Sequence, residues 1–488
     1  MTIRDIIGAV AAARAPAIAR AAGAGAVAVL TAASLTAQRP EPGSAAAGYA
    51  VVDAEAVALT GVTLIDGTGT PARTGQTVVI QGSRIGAVGP DGQVDIPEGA
   101  EVMDMSGHTV MPGMIGLHNH LFYTAAGGRS AQLTYSAPRL YLGSGVTSVR
   151  TTGSRQPYAE LNLRAEIEAG RTPGPRIHIT APYITAGGGI SGMTMLESPE
   201  QARRFVRYWA AEGATWLKAY TNIRTEELSA AIDEAHSQGI KVTGHLCSIS
   251  FTEAVALGID NIEHGLATNS DYTPGRGRDE CPPGLWDDAT AIDVNGPEAQ
   301  ATFQAMIDAD VAMTSTLAVY ELFIQGRPTR DQRSLDAMSP AVREDYLAAK
   351  AQVDEIGRSP DEFHNAIAYE KAFYDAGGVL AAGVDPTGNG GALPGYGDQR
   401  NYELLSEGGF APHEVVQVLS ANGARVLDVF DDLGTVEAGK IADLVVMSGD
   451  LTTDPSVIRN VTIVFKDGVG YDSPAMLEDV RGRVGISE

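Results

Sequence analysis

The 488-residue sequence predicts an α/β fold, a (β/α)8 TIM barrel with a small β-sandwich formed by both termini. Two observations predict it. Strand-like runs alternate with helix-compatible segments eight times through the middle of the chain, as in a barrel of parallel strands. Short β-rich runs broken by Gly, Asp and Pro occur at both ends, and neither end can bury a core alone. We therefore expect the two ends to pair.

The order of these patterns divides the chain into four parts. The expected parts are a signal peptide over 1–37, the first half of the sandwich over 38–109, the barrel over 110–428 and the second half of the sandwich over 429–488. The expected barrel strands are Val110 to Leu121, Gly145 to Thr151, Arg176 to Pro182, Thr215 to Tyr220, Ile240 to Leu246, Asn261 to Gly265, Val311 to Leu317 and Gly378 to Asp385. The expected helices include Pro199 to Glu212, Thr225 to Gln238, Thr252 to Ala256 and Pro412 to Leu427, whose starts carry Pro or Thr.

The first forty residues resemble an export signal. Arg4, Arg14 and Arg20 precede an apolar run of small residues that ends near Ala37, where a signal peptidase would cut. We expect a periplasmic or secreted protein with no stable membrane association after cleavage. The basic part is longer than usual, so a retained anchor and a misassigned start codon remain alternatives.

Composition narrows the classes of partner. A net charge of −25 and a pI near 4.7 would repel nucleic acid and anionic membranes, which leaves a small-molecule substrate as the expected partner. Cys247 and Cys281 are the only cysteines, so there is no disulfide framework, although one bridge between them is allowed. The irregular stretch 268–296 and the extra helical stretch 334–367 are insertions expected above the barrel mouth.

His118 and His120 end the first barrel strand. In a strand, a spacing of two sends both side chains to the same face, where two imidazoles can bind one metal ion. The alternative is a pair of hydrogen-bonded histidines in a turn.

The other strand ends favour metal binding. Polar residues stand at the carboxyl ends of five expected strands, which meet at one mouth of a barrel. These residues are His118, His120, Lys218, His245, His264 and Asp385. Their coincidence with independently assigned strand ends predicts that they ligate metal together, with zinc as the default ion for imidazole and carboxylate ligands.

Several motifs around these residues resemble the amidohydrolase superfamily of metal-dependent hydrolases, and exported imidazolonepropionase-related and prolidase-like members above all. The resemblance covers almost the whole mature chain. The motifs are Pro-Gly-Met-Ile-Gly-Leu-His-Asn-His, Trp-Leu-Lys-Ala-Tyr, Val-Thr-Gly-His, Asn-Ile-Glu-His-Gly, Ala-Gly-Val-Asp-Pro, Ser-Ala-Asn-Gly-Ala-Arg and Glu-Ala-Gly-Lys-Ile-Ala-Asp-Leu-Val-Val.

The resemblance implies two divalent metal ions. His118, His120 and Asp385 would bind the first ion, and His245 and His264 the second. Lys218 would be carbamylated by CO2 and bridge both ions, which is chemically reasonable because burial beside cations frees a lysine amine to react. The alternative for Lys218 is a salt-bridged surface lysine. Homo-oligomers would also be compatible with the resemblance.

The expected reaction is hydrolysis of an amide or peptide-like C–N bond, in an N-acyl amino acid or an Xaa-Pro dipeptide for example. Water between two cations becomes hydroxide near neutral pH, and Asp385 would take its proton and deliver it to the leaving nitrogen. Tyr220 could hydrogen-bond the developing oxyanion, although a merely packed tyrosine is equally consistent. Gly188, in the glycine-rich loop 185–192, and Arg129 are expected to contact substrate, and Arg150 and Arg155 are further candidates for binding its carboxylate.

Two other functions remain open. A single-metal cyclic-amide hydrolase of the imidazolonepropionase type, or a deaminase, is the main alternative, although Lys218 argues against both. An inactive scaffold would be expected to have lost ligands, and this chain retains all six.

Overall fold

The computed structural model describes residues 43–187, 192–328 and 331–486. The predicted signal segment with its cut near Ala37, and Gly188, lie outside these ranges. Among the described residues, no helix is both long and apolar enough to cross a membrane.

The N-terminal part forms strands punctuated by glycine turns. They are β1 (Ala50–Val52), β2 (Ala56–Leu64), β3 (Arg73–Gln81), β4 (Arg84–Pro90), β5 (Glu101–Asp104) and β6 (His108–Pro112), after the short helix α1 (Ser44–Ala47).

The middle of the chain alternates strands and helices. Its strands are β7 (Met114–Asn119), β8 (Phe122–Thr124), β9 (Ser130–Gln132), β10 (Val146–Thr151), β11 (Arg176–Ile179), β12 (Ile184–Thr185), β13 (Thr194–Met195), β14 (Trp216–Ala219), β15 (Lys241–Gly244), β16 (Asn261–Glu263), β17 (Ala312–Ser315) and β18 (Leu380–Ala382). Its helices are α2 (Ser136–Gly143), α3 (Pro157–Glu168), α4 (Pro199–Ala211), α5 (Thr225–Ser237), α6 (Phe251–Ala256), α7 (Leu285–Thr290), α8 (Pro297–Asp308), α9 (Leu317–Tyr320), α10 (Gln332–Ala337), α11 (Pro340–Ile356), α12 (Pro360–Asp375), α13 (Tyr396–Glu407), α14 (Pro412–Leu419) and α15 (Ala421–Val426). The insertion 334–367 is helical, as expected.

Parallel pairing orders the main strands around the site. One sheet runs β11-β10-β7 and another contains β14-β15-β16-β17-β18 in sequence order. The bridge between Thr180 and Trp216 links the two sheets. At the other end the Asp385 amide donates to the His118 carbonyl over 2.7 Å, so the chain after β18 returns to β7. This is a mixed α/β fold of the TIM-barrel type, as predicted.

The C-terminal strands return to the N-terminal ones. Strands β19 (Leu444–Ser448), β20 (Val461–Lys466) and β21 (Val469–Asp472) precede helix α16 (Ser473–Asp479). They complete a nine-stranded sheet ordered β1-β21-β20-β19-β6-β2-β3-β4, with β5 paired to β2. The pairing of β19 with β6 confirms that the two termini share one sheet, and its sandwich arrangement stays a prediction.

Two predicted elements are each divided in the structure. The expected strand Val110 to Leu121 becomes β6, which pairs with the terminal sheet, and β7, which pairs with β10. They separate at Gly113, whose amide donates to the Asp443 carbonyl and which has no room for a Cβ beside Thr147. The expected helix Pro412 to Leu427 breaks at Ser420, whose backbone is not helical (φ −134°, ψ −77°).

Cys247 and Cys281 form a disulfide across 34 residues. It joins the loop after β15 to the insertion 268–296. In the chain-entropy model, closing a loop of this length stabilises the fold by about 4 kcal/mol.

We expect the double variant Cys247→Ser/Cys281→Ser to unfold at a lower denaturant concentration than the oxidised protein, because its unfolded chain is less constrained. Denaturant unfolding with and without reductant tests this, since the reduced wild type should match the variant. Equal midpoints for all samples would show that the bridge does not form or does not stabilise.

Glu160 in α3 is a buried carboxyl outside the metal cluster, and burial raises its pKa to about 7. The unfolded chain releases this proton at lower pH, so the folded state loses stability as pH rises from about 4.5 to 7. We expect the stability of Glu160→Gln relative to wild type to increase by about 2 kcal/mol between pH 5 and pH 7. Unfolding free energies of both proteins at the two pH values test this, and a constant difference would contradict it.

Candidate metal centre

The structure brings all six predicted ligand residues to the same ends of the parallel strands. His118 lies in β7 and Lys218 in β14, His245 and His264 directly follow β15 and β16, and Asp385 follows β18. In such folds the carboxyl ends of the strands carry the reactive groups.

Three of these residues form a compact cluster. One ligand atom each from His118, His264 and Asp385 lies within 4.8 Å of the other two. His120 joins through Nε2, which is 3.2 Å from Asp385 Oδ1. Two ligands of one tetrahedral zinc ion, each about 2.1 Å from it, would be about 3.4 Å apart, so this spacing suits a shared cation.

His245 lies next to His264, and Lys218 lies next to Glu263. The ring centroids of His245 and His264 are 4.3 Å apart. The Lys218 Nζ is buried, 3.9 Å from Glu263 Oε1, and no hydrogen-bond partner for it exists among the described residues. The structure therefore contradicts a surface lysine at this position.

Hydrogen bonds orient two of the imidazoles. The Nδ1 of His118 contacts Glu263 Oε2 at 2.8 Å, and the Nδ1 of His264 contacts the Thr316 hydroxyl at 2.7 Å. Each ring is left with Nε2 for another ligand, and the buried Nε2 of His264 has no partner in the described part of the chain. A metal-binding histidine characteristically holds its second nitrogen in this way.

Burial keeps the donors in the forms that bind metal. It lowers the pKa of His118 and His264 well below the ordinary value and that of His245 to about 3, so the imidazoles are neutral. Burial also lowers the pKa of Lys218 to about 8. For Asp385 burial acts in the opposite direction, but His118 and His120 outweigh it and hold the pKa below its usual range. The donor set fits divalent metal ions.

Unusual backbone conformations place two of the ligand candidates. His264 and Asp385 have φ angles of 74° and 45°, in the left-handed region that residues with side chains seldom adopt. In a regular strand, His264 would point away from the face that Glu263 occupies; the left-handed turn redirects it. At Gly383 a Cβ would lie 2.1 Å from the His118 amide nitrogen, so only glycine allows β18 to approach β7 this closely.

Sequence reasoning gave no role to Glu263. Its carboxylate is fully buried, contacts His118, accepts from Arg150 Nη2 at 2.5 Å and from Asn261 at 3.1 Å, and is also bonded by Thr243. The positive charges of Lys218 and Arg150 outweigh its burial and lower its pKa. A signal was present, because Glu263 shares a strand face with Asn261 and precedes His264 inside one motif.

The cluster opens into a cavity of about 500 Å³. Tyr220 and Arg129 line it, and their contact with substrate stays a prediction. Burial raises the pKa of the Tyr220 phenol to about 12, so it remains a proton donor. Arg155 lines the cavity as well. Arg150 does not: it is fully buried in the ion pair with Glu263, so it cannot serve as the carboxylate ligand considered above.

The model of the amidohydrolase family matches residues 109–272 and 396–470, which include five of the six ligand candidates. The chain belongs to the amidohydrolase family. It is thus a metal-dependent hydrolase of C–N bonds, and His118, His264 and Asp385 form its candidate metal site. No curated protein sequence matches the chain.

Solved structures resemble this amidohydrolase over nearly their whole length. A proposed prolidase from Bifidobacterium longum is 25% identical, with a TM-score of 0.63, over 87% of this chain and 99% of the other. An Xaa-Pro dipeptidase with bound methionine is 21% identical, with a TM-score of 0.64, over 86% and 100%. Bottromycin amidohydrolase is 18% identical, with a TM-score of 0.64, over 88% and 91%. The last two support the fold alone.

We expect Glu263→Gln to lower stability by about 3–5 kcal/mol, since it leaves the buried Arg150 without its counter-charge. Metal affinity should fall roughly 10- to 100-fold, because His118 loses the carboxylate that orients it. Denaturant unfolding of the purified variant and wild type measures the change in stability, and titration of both proteins with metal measures the change in affinity.

Glu160→Gln is the matched control for metal affinity, because it makes the same change at a buried carboxyl away from the ligand candidates, and it should retain metal affinity. Full metal affinity in Glu263→Gln would rule out an orienting role for Glu263.

Proposed function

We propose that the protein hydrolyses the amide bond of a small substrate, such as an N-acyl amino acid or an Xaa-Pro dipeptide. His118, His120 and Asp385 would hold one divalent ion, and His245 and His264 a second. Carbamylated Lys218 would bridge them, and zinc is the expected ion.

One observation carries the proposal: the buried Lys218 amine makes no hydrogen bond to any described residue, has only the Glu263 carboxylate at 3.9 Å, and lies beside neutral imidazoles at the strand ends. A buried amine that makes no hydrogen bond is costly, so its retention calls for a ligand or a modification. Addition of CO2 with loss of a proton would give a carbamate, whose single negative charge is shared by two oxygens that could each bind a cation.

When bound, the ions would acidify a water molecule and polarise the substrate carbonyl. The Asp385 carboxylate, kept ionised by His118 and His120, accepts the water proton and later delivers it to the leaving nitrogen. The phenol of Tyr220 lines the same cavity and can donate a hydrogen bond to the carbonyl oxygen as negative charge develops on it.

A single-metal hydrolase of cyclic amides, or a deaminase, is the second candidate. The compact group of His118, His264 and Asp385 favours it, because those three residues alone could hold one ion. Under this alternative Lys218 would stay unmodified near Glu263.

Export is supported by the disulfide between Cys247 and Cys281, since such bonds persist in oxidising compartments. We therefore propose a periplasmic or secreted enzyme. Fractionation of cells expressing the full chain would contradict this if the protein remained in the cytoplasm.

Hydrolysis of N-acetyl amino acids, Xaa-Pro dipeptides and cyclic amides by protein purified without chelator tests the function. We expect the first two classes to be cleaved, and Asp385→Asn to lose roughly 10²- to 10⁴-fold in kcat, because it removes the proton carrier. Asp308→Asn, which makes the same change at an exposed position, should retain full activity.

Cleavage of cyclic amides alone would favour the single-metal alternative. Absence of hydrolysis in all three classes would reject the proposed function.

A further inference from the structure

We propose that Arg155 binds a carboxylate of the substrate, so that the enzyme selects amides that carry a free carboxylate over their neutral analogues. This inference rests on the proposed function, because it concerns the substrate of the same cavity. It names the residue that would impose the choice.

Arg155 is unusual in lacking an acidic partner. Among the described residues, only Arg129, Arg155 and Arg425 are arginines without a carboxylate within ion-pair distance. Two of these three, Arg129 and Arg155, line the metal cavity. In a chain with 60 acidic and 35 basic side chains, two arginines left unpaired at one cavity leave a local positive charge for an anion.

Arg155 is also held in place. Its guanidinium lies 4.9 Å from the centroid of the Phe122 ring, and Phe122 stacks on the ring of His120 at 4.5 Å. The preceding Ser154 forms a parallel bridge with Pro182, which fixes the chain from which Arg155 projects. A stacked guanidinium keeps its N–H edge free, and that edge matches a carboxylate with two hydrogen bonds.

The charge of Arg155 acts inside the cavity. It lowers the pKa of the Tyr183 and Tyr220 phenols against the larger opposite effect of burial. Arg129 is exposed at the rim, whereas Arg155 is partly buried, so Arg155 would bind an anion in a less hydrated setting.

The aromatic residues that line the cavity indicate which other group the substrate carries. Tyr183, Tyr220, Tyr320 and Phe323 line the cavity, and the first two rings meet edge to face at 5.5 Å. Such a wall suits an apolar or aromatic side chain. The substrate class is therefore an N-acyl amino acid or dipeptide with a free carboxylate and an apolar group.

The test compares N-acetyl-L-phenylalanine with N-acetyl-L-phenylalaninamide, which lacks the negative charge. Metal-loaded wild type, Arg155→Gln, Arg155→Lys and Arg129→Gln are compared by kcat/KM where a compound is hydrolysed and by calorimetric Kd where it is not. We expect wild type to prefer N-acetyl-L-phenylalanine over its amide. In Arg155→Gln, kcat/KM or affinity for the acid should fall roughly 10- to 100-fold, and the value for the amide should not change. Arg155→Lys should restore part of the loss, and Arg129→Gln, the matched loss of charge at the rim, should retain the preference.

The inference is overturned if wild type has the same kcat/KM or Kd for the acid and the amide, or if Arg155→Gln keeps the preference for the acid. It is also overturned if Arg155→Gln lowers kcat/KM or affinity equally for both compounds. A preference that disappears in Arg129→Gln instead would assign the carboxylate to the rim. If no amide is hydrolysed at all, the proposed function fails, while the Kd values still decide the role of Arg155.

Discussion

The buried carboxylate of Glu263 is the constraint on which the metal centre depends. It contacts side chains from four other parallel strands, namely His118 in β7, Arg150 in β10, Lys218 in β14 and Thr243 in β15, and it also contacts Asn261 in its own strand, β16. A buried charge is tolerated only when it is paired and hydrogen-bonded, so these strands must keep their relative positions for Glu263 to remain ionised. The same contacts orient His118 and hold Lys218 nearby, which links the stability of the strands to the geometry of the site.

Electrostatics at the strand ends follow from this arrangement. Burial removes protons from the imidazoles and lowers the pKa of Lys218, while Asp385 keeps its charge through His118 and His120. The cluster thus holds neutral nitrogen donors beside one carboxylate. This donor set attracts divalent cations and leaves one anionic group that can move a proton.

The positions of the six ligand candidates could be predicted from the sequence, because strand ends can be identified from local patterns. A β-branched run ending in His or Asp marks the carboxyl end of a strand, and the parallel fold then brings those ends together. Glu263 and Arg150 were not recognised as partners, since their contact joins positions 113 residues apart and neither belongs to a ligand spacing. The division of the expected strand Val110 to Leu121 at Gly113 could not be predicted from the sequence either. Both halves are apolar, and the break depends on contacts with Asp443 and Thr147. The left-handed φ of His264 likewise depends on the surrounding fold, and no local sequence pattern predicts it.

The most direct test of the central claim is the metal content per chain of protein purified without chelator, together with the mass of Lys218 peptides under non-acidic conditions. The account predicts two ions per chain and an added CO2 on Lys218. One ion per chain with an unmodified lysine would contradict it, and the compact site of His118, His264 and Asp385 would then be the metal centre.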